Sequence, residues 1–227
     1  MGPPDVMGQY DAAGQSGGMQ LCWKAMHLLD IRIPAGCVQR GQMQRLVMPR
    51  RYQLDWVCQM TGKSDCVWLD TGLQKLAGSS EAFARRVACV MQQRGALANL
   101  SLRENIMLPF LYAGKEEEIR RCSVALPEIA SRLDIAGKLD EQAGERSGYV
   151  HGLIALGRTM LMQPDFIVVQ DAHAGIPPHR QERFRKLFCE MLEGLGAGVL
   201  YLSASGQDGS GLEFCHSLDF AGAEEGL

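Results

Sequence analysis

Apolar positions change their period along this chain, and the changes divide it into elements. "FIVVQD" (166–171) and "GVLYLSA" (198–204) are continuous apolar runs of strand length, as expected for strands covered on both faces. Between them Phe184, Leu187, Phe188, Met191, Leu192 and Leu195 recur with helical spacing. That helix is entered at Pro177 and Pro178 and followed by Gly196. "YVHGLIALGRTMLMQPD" predicts a further helix, stopped by Pro164. In the middle of the chain, Ser101 and Glu104 form a capping box that opens "SLRENIMLPFLY". Ile119, Cys122, Leu126, Ile129 and Leu133 then mark one face of the next helix, with its charges on the solvated side.

The first third is more finely divided. "MQLCWKAMHLLDIRIPAG" (19–36) reads as two short strands ending in a Pro-Ala-Gly turn. "QRLVMP" is a strand stopped by Pro49, "RRYQLDWVCQMTG" a short helix and "CVWLD" a strand. Ser79 or Ser80 caps a helix start that leads into a buried strand over about Val87 to Met91. Helices and strands alternating through short connections predict an α/β fold: a parallel-sheet core with helices on both faces, an N-terminal antiparallel β portion and a helical subdomain at about 98–150. Ligands in such sheets bind at the carboxyl ends of the strands, here Asp171 and Ala204.

Composition narrows the picture. With 227 residues, 46% of them hydrophobic and a formal charge of −3, the chain can bury a substantial core in one large domain and offers no basic surface for nucleic acid. Residues 1–18 read as a flexible tail without the apolar core of a signal peptide. No apolar run approaches the roughly 20 residues of a membrane span. The eight cysteines are spread without a C-x-x-C pair, so scattered free thiols are expected, not disulfides. Asp171 and His173 are the nearest approach to a metal pair, too sparse a set to predict a metal site.

One short motif suggests a phosphate loop. Gly62-Lys63-Ser64 ends like G-x-x-x-x-G-K-[ST], but Val57 stands where the first glycine belongs. The motif also follows a predicted helix and opens a strand, whereas a phosphate loop follows a strand and opens a helix. It therefore reads as a turn.

The order of parts resembles that of an ABC-transporter ATPase. "ALGRTMLMQPDFIVVQDAHAGI" resembles the run from the signature helix into Walker B, and "VMQQRGALANLSLRENIMLPF" resembles the Q-loop and the start of the helical subdomain. Gly95-Ala96-Leu97 after the glutamine is similar to the ATPases of MCE-type (Mla group) lipid transporters. The resemblance covers nearly the whole chain after Met19. It implies paired ATPase subunits, either two copies or a heterodimer with another ABC ATPase, docked on a membrane permease at the cytoplasmic face, with an MCE-type protein in the complex.

Carried over residue by residue, the match departs at the catalytic points. Where Walker A belongs the chain reads Met48-Pro49-Arg50-Arg51-Tyr52, without the glycines, lysine or hydroxyl residue. Arg50 and Arg51 could meet an anion by charge, yet read more simply as surface arginines. Asp171 matches the Walker B aspartate, Ala172 stands at the catalytic glutamate, His173 at the following proline, Pro177 at the D-loop aspartate and Ala204 at the switch histidine. Gln93 matches the Q-loop glutamine, and Ser147-Gly148-Tyr149 the middle of the signature, with Tyr149 crowding the approach.

The sequence thus predicts a chain without catalytic residues that neither binds nor hydrolyses ATP by itself. Gln93, Ser147, Gly148 and Asp171 are vestigial, or serve a nucleotide and Mg²⁺ shared with an active partner. Met107, Phe110 and Leu111 are predicted to meet the permease. A freestanding cytosolic scaffold or regulator is the remaining alternative.

Overall fold

The computed structural model describes residues 18–28, 31–61, 64–91, 96–113, 115–144, 146–205 and 212–220. Gln93, residues 1–17 of the tail expected over 1–18 and the Gly62-Lys63 part of the motif lie outside the described residues.

The first strands are β1 (Gln20–Trp23), β2 (Met26–Leu28), β3 (Ile31–Ile33), β4 (Gly36–Gln39) and β5 (Met43–Val47), followed by α1 (Arg50–Thr61). Then come β6 (Val67–Asp70), β7 (Lys75–Ala77), α2 (Glu81–Ala84) and β8 (Val87–Met91). A helical run follows: α3 (Leu102–Ala113), α4 (Glu116–Arg132), a 3₁₀ turn at Ala136–Lys138 and α5 (Gly148–Met162). The last elements are β9 (Phe166–Gln170), α6 (Pro178–Leu195), β10 (Gly198–Ser203) and β11 (His216–Asp219).

The five-stranded sheet runs β11-β5-β10-β9-β8, every pair parallel. A four-stranded antiparallel sheet runs β4-β1-β6-β7, and β2 pairs with β3. Alternation along β9 and β10 divides the core in two. Phe166, Val168, Leu200 and Leu202 face a cluster with α1 and the antiparallel sheet, including Leu21, Trp23, Tyr52, Trp56 and Leu69. Ile167, Val169, Val199 and Tyr201 face the helices, through Leu153, Leu156, Phe184 and Phe188. Coverage on both faces is why these strands are apolar at every central position.

The local signals act as their chemistry dictates. The Ser101 N–H donates to Glu104 Oε2 at 2.8 Å and the Glu104 N–H to Ser101 Oγ at 3.1 Å, a closed capping box. The Ser101 N–H and the Ser101 hydroxyl, which donates to the same oxygen at 2.9 Å, hold the Glu104 carboxyl below the usual carboxylate range. Ser80, one of the two serines expected as a cap, is the one that caps α2.

Four expectations change. The region read as two strands carries β1, β2, β3 and the first residue of β4. The short strands β7 and β11 were not visible as patterns. Cys22 and Cys37 are joined as a disulfide, against the expectation of free thiols, because β1 and β4 place them directly opposite. Finally, Met107 and Phe110 are buried at 4% and 5% exposure, not presented to solvent. The reason is that α3 packs against both α4 and α5 and has no single apolar face. Leu111 remains half exposed, and its neighbour Tyr112, which the sequence did not single out, is 92% exposed.

Candidate functional site

The carboxyl ends of β5, β9 and β10 meet the first turn of α1. Only Met48 and Pro49 separate β5 from α1. The Met48 N–H donates to the Ser203 carbonyl at 2.9 Å, and the Tyr52 N–H donates to the Pro49 carbonyl at 3.0 Å. Gln53 Nε2 returns a bond to the Met48 carbonyl at 2.9 Å. Tyr52 is fully buried, and its hydroxyl accepts from Arg51 Nη2 at 2.6 Å. A strand that enters its helix this directly leaves no looped run of backbone N–H groups to surround a phosphate.

Arg50, the first residue of α1, reaches across this end. Its Nε lies 3.0 Å from Asp171 Oδ2. Asp171 is the residue after β9, in a left-handed conformation at φ 42°. Its N–H donates to the Leu202 carbonyl and its own carbonyl accepts from Ala174, which pins the turn onto β10. The arginine side chain is 66% exposed, so solvent screens the pair and its net contribution is at most about 1 kcal/mol. The two residues are far apart in sequence, and the tertiary fold brings them together.

Ala172, the next residue, carries no proton-transfer group. Ala172 is fully buried. His173 Nδ1 lies 3.2 Å from the Tyr201 hydroxyl, and its ring packs edge-on to Phe184. Ala204 follows β10, where Ser203 Oγ donates to the Ser205 carbonyl. Among the described residues no group of three or more His, Cys, Asp or Glu side chains converges as a metal site.

The segment matching the signature is the N-terminus of α5. Ser147 is its exposed N-cap and makes no side-chain capping bond. Gly148 lies against the turn after Asp171: a Cβ added there would stand 2.5 Å from the Gly175 carbonyl oxygen. The glycine is thus accounted for by close packing within the chain. The Tyr149 ring turns onto Phe184, with centroids 6.5 Å apart, and Arg180 lies over it.

Behind these residues lies a polar junction that the sequence did not reveal. Asn105, fully buried in α3, accepts the Leu97 N–H at 2.7 Å. Its amide donates toward the carbonyls of Leu97, Leu100 and Ser101. Arg158 of α5 donates from Nε to the Asn105 carbonyl at 2.6 Å. Burial lowers the Arg158 pKa to about 10, which leaves it charged at neutral pH. The segment just after the expected Q-loop is thereby tied to both α3 and α5. A buried asparagine within an apolar helix was the available sequence signal.

This arrangement, a parallel sheet with helices on its faces and an antiparallel sheet beside it, is the fold of ABC-transporter ATPases. A solved ATP-binding cassette of an ABC transporter, in its ADP conformation, superposes with a TM-score of 0.63 at 17% identity, covering 82% of this chain and 80% of that one. The sequence is also related to curated ABC proteins. It is 25% identical over 132 residues to the lipoprotein-releasing system ATP-binding protein LolD of Novosphingobium aromaticivorans, covering 57% of this chain and 58% of that protein. It is 29% identical over 99 residues to the macrolide export ATP-binding/permease protein MacB of Campylobacter jejuni, covering 43% of this chain and 15% of that protein. The chain therefore spans less than two thirds of the length of these relatives. No family model matches it.

Proposed function

We propose that this chain is a non-catalytic ABC-ATPase-like subunit of a membrane transport complex, held at the inner face of the membrane by a permease. The observation that carries the reading is the Arg50–Asp171 pair beside the direct β5–α1 connection. In a working site this position needs a backbone cradle for phosphate and an aspartate free to support Mg²⁺. Here a guanidinium from the chain itself lies on that aspartate, and a methyl group stands at the general-base position, Ala172. The residues do not fit ATP or Mg²⁺ bound by the isolated chain. Mg-ATP binding by the purified chain would contradict the reading.

Two features support attachment to a permease. ATP-binding and permease functions are joined in the name of the MacB relative. Leu111 and Tyr112 also form an exposed apolar pair at the end of α3. Among the described residues, no helix is long and apolar enough to cross a membrane. Co-expression with the permease tests the surface directly. Leu111→Glu with Tyr112→Glu abolishes co-purification while leaving the melting temperature of the isolated chain within about 2 °C, since both residues are exposed. An intact complex would remove these residues from the docking surface. A lipid or lipoprotein cargo is the finer proposal, supported by the MCE-like Gly95-Ala96-Leu97 stretch and by the LolD relative.

A second reading is favoured by Ser147. Its hydroxyl is exposed and makes no bond to its own helix, so it is available to a nucleotide held by an active partner across a dimer interface. Ser147→Arg in a complex with such a partner then abolishes ATP hydrolysis. Unchanged hydrolysis would leave this chain a purely structural role.

A further inference from the structure

Cys22 and Cys37 stand directly opposite each other in β1 and β4, with Cα atoms 4.1 Å apart. Three residues earlier in β1's direction of travel, the Arg40 N–H donates to the Met19 carbonyl. Alternation of the antiparallel ladder from that bonded pair makes Cys22–Cys37 a non-hydrogen-bonded pair, the type that brings side chains closest. The two lie on the face of the sheet away from the core, because Leu21, Trp23 and Val38 point inward. Trp68 of β6 continues the same row on the other side of Cys22. Cys37 is exposed, whereas Cys22 is 3% exposed.

We propose that Cys22 and Cys37 form a reversible redox staple that ties edge strand β4 to β1, closed by exchange with a small disulfide such as oxidised glutathione and opened by excess reduced thiol. Closure takes two exchanges. The exposed Cys37 thiolate attacks one sulfur of oxidised glutathione and expels a glutathione thiolate, which takes up the proton that Cys37 lost. The Cys22 thiolate then attacks the Cys37 sulfur of the mixed disulfide and expels the second glutathione, which is protonated in turn. One protein S–S bond replaces two protein S–H bonds; the protein loses two electrons and the oxidised glutathione gains them. Both thiols already face each other, so closure requires no movement of the core.

Three of the other cysteines, Cys89, Cys122 and Cys189, are poorer candidates for the same exchange. Burial pushes the Cys89 thiol up to about 12, and also raises Cys122 and Cys189. The staple has a mechanical consequence as well. Arg40, the residue after β4, pairs with Asp165 at 3.5 Å, just before β9. Securing β4 therefore stiffens the link between the antiparallel sheet and the parallel one.

The test uses the purified full chain, equilibrated either with oxidised glutathione or with excess reduced glutathione. Oxidised chain should show two fewer titratable thiols in denaturant than the eight of the sequence. Its non-reducing tryptic map should contain peptide 1–24 linked to peptide 33–40. Its melting temperature should be about 6–12 °C above that of the reduced chain, as for a loop of this length. Cys37→Ser, an exposed substitution, should abolish the redox-dependent shift. Eight thiols after oxidation, or a shift that survives in Cys37→Ser, would overturn the proposal. A linked peptide that persists in excess reduced glutathione would overturn its reversibility.

Discussion

Asn105→Ala lowers the melting temperature of the isolated chain by about 6–12 °C, corresponding to a loss of about 3 kcal/mol. The side chain is fully buried and serves the Leu97 N–H together with carbonyls at Leu97, Leu100 and Ser101. Removing it leaves the Leu97 N–H without its acceptor and deletes three further bonds, although the carbonyls keep backbone donors at Leu100, Ala143 and Asn105. Arg158 Nη2 also loses its 3.3 Å contact with Asn105 Oδ1. A buried donor without a partner is the expensive outcome. Asn105→Leu, which restores volume but no hydrogen bonds, is expected to lose as much. Recovery of stability in that variant would mean that packing, not hydrogen bonding, is what Asn105 contributes. Thermal unfolding followed by circular dichroism measures both.

Gly148→Ala is the second large effect, about 2 kcal/mol or about 4–8 °C in melting temperature. The added methyl would sit 2.5 Å from the Gly175 carbonyl oxygen and 2.8 Å from its carbonyl carbon. Both are backbone atoms, so α5 or the turn after β9 must move. Ser147→Ala, one residue earlier, should change stability little, since that side chain makes no capping bond. The contrast separates two reasons for a glycine here. If packing within the chain requires it, the isolated protein loses stability. If Gly148→Ala melts like the parent, the glycine serves a contact outside the chain, and the shared-nucleotide reading gains.

Much of the fold was legible because its strongest elements carry redundant signals. β9 and β10 are apolar at their central positions because both faces are covered, and α6 has a clean helical period with prolines at its entry and Gly196 at its end. The elements that escaped are short and owe their structure to neighbours. β11 is a four-residue edge strand, mostly exposed, that exists because β5 offers it a parallel partner. β4 carries one fully buried position, too little for a period. Met107 and Phe110 were misplaced for the converse reason: an apolar helix end resembles a docking surface until α4 and α5 are known to cover it.

The candidate site was legible in its residue types but not in its geometry. Asp171, Ala172 and Ala204 could be placed by the order of motifs. The Arg50–Asp171 pair joins residues from distant parts of the chain through sheet order, which no local spacing encodes. The Cys22–Cys37 pair depends on register, and the Asn105–Arg158 junction on how α3 meets α5. Polar residues of this kind give weak sequence signals because their significance lies in their partners.

The decisive measurement is calorimetric titration of the purified chain with Mg-ATP. With Arg50 on Asp171 and no phosphate loop between β5 and α1, no saturable heat is expected up to millimolar nucleotide. Saturable binding with a micromolar dissociation constant would contradict the proposed function.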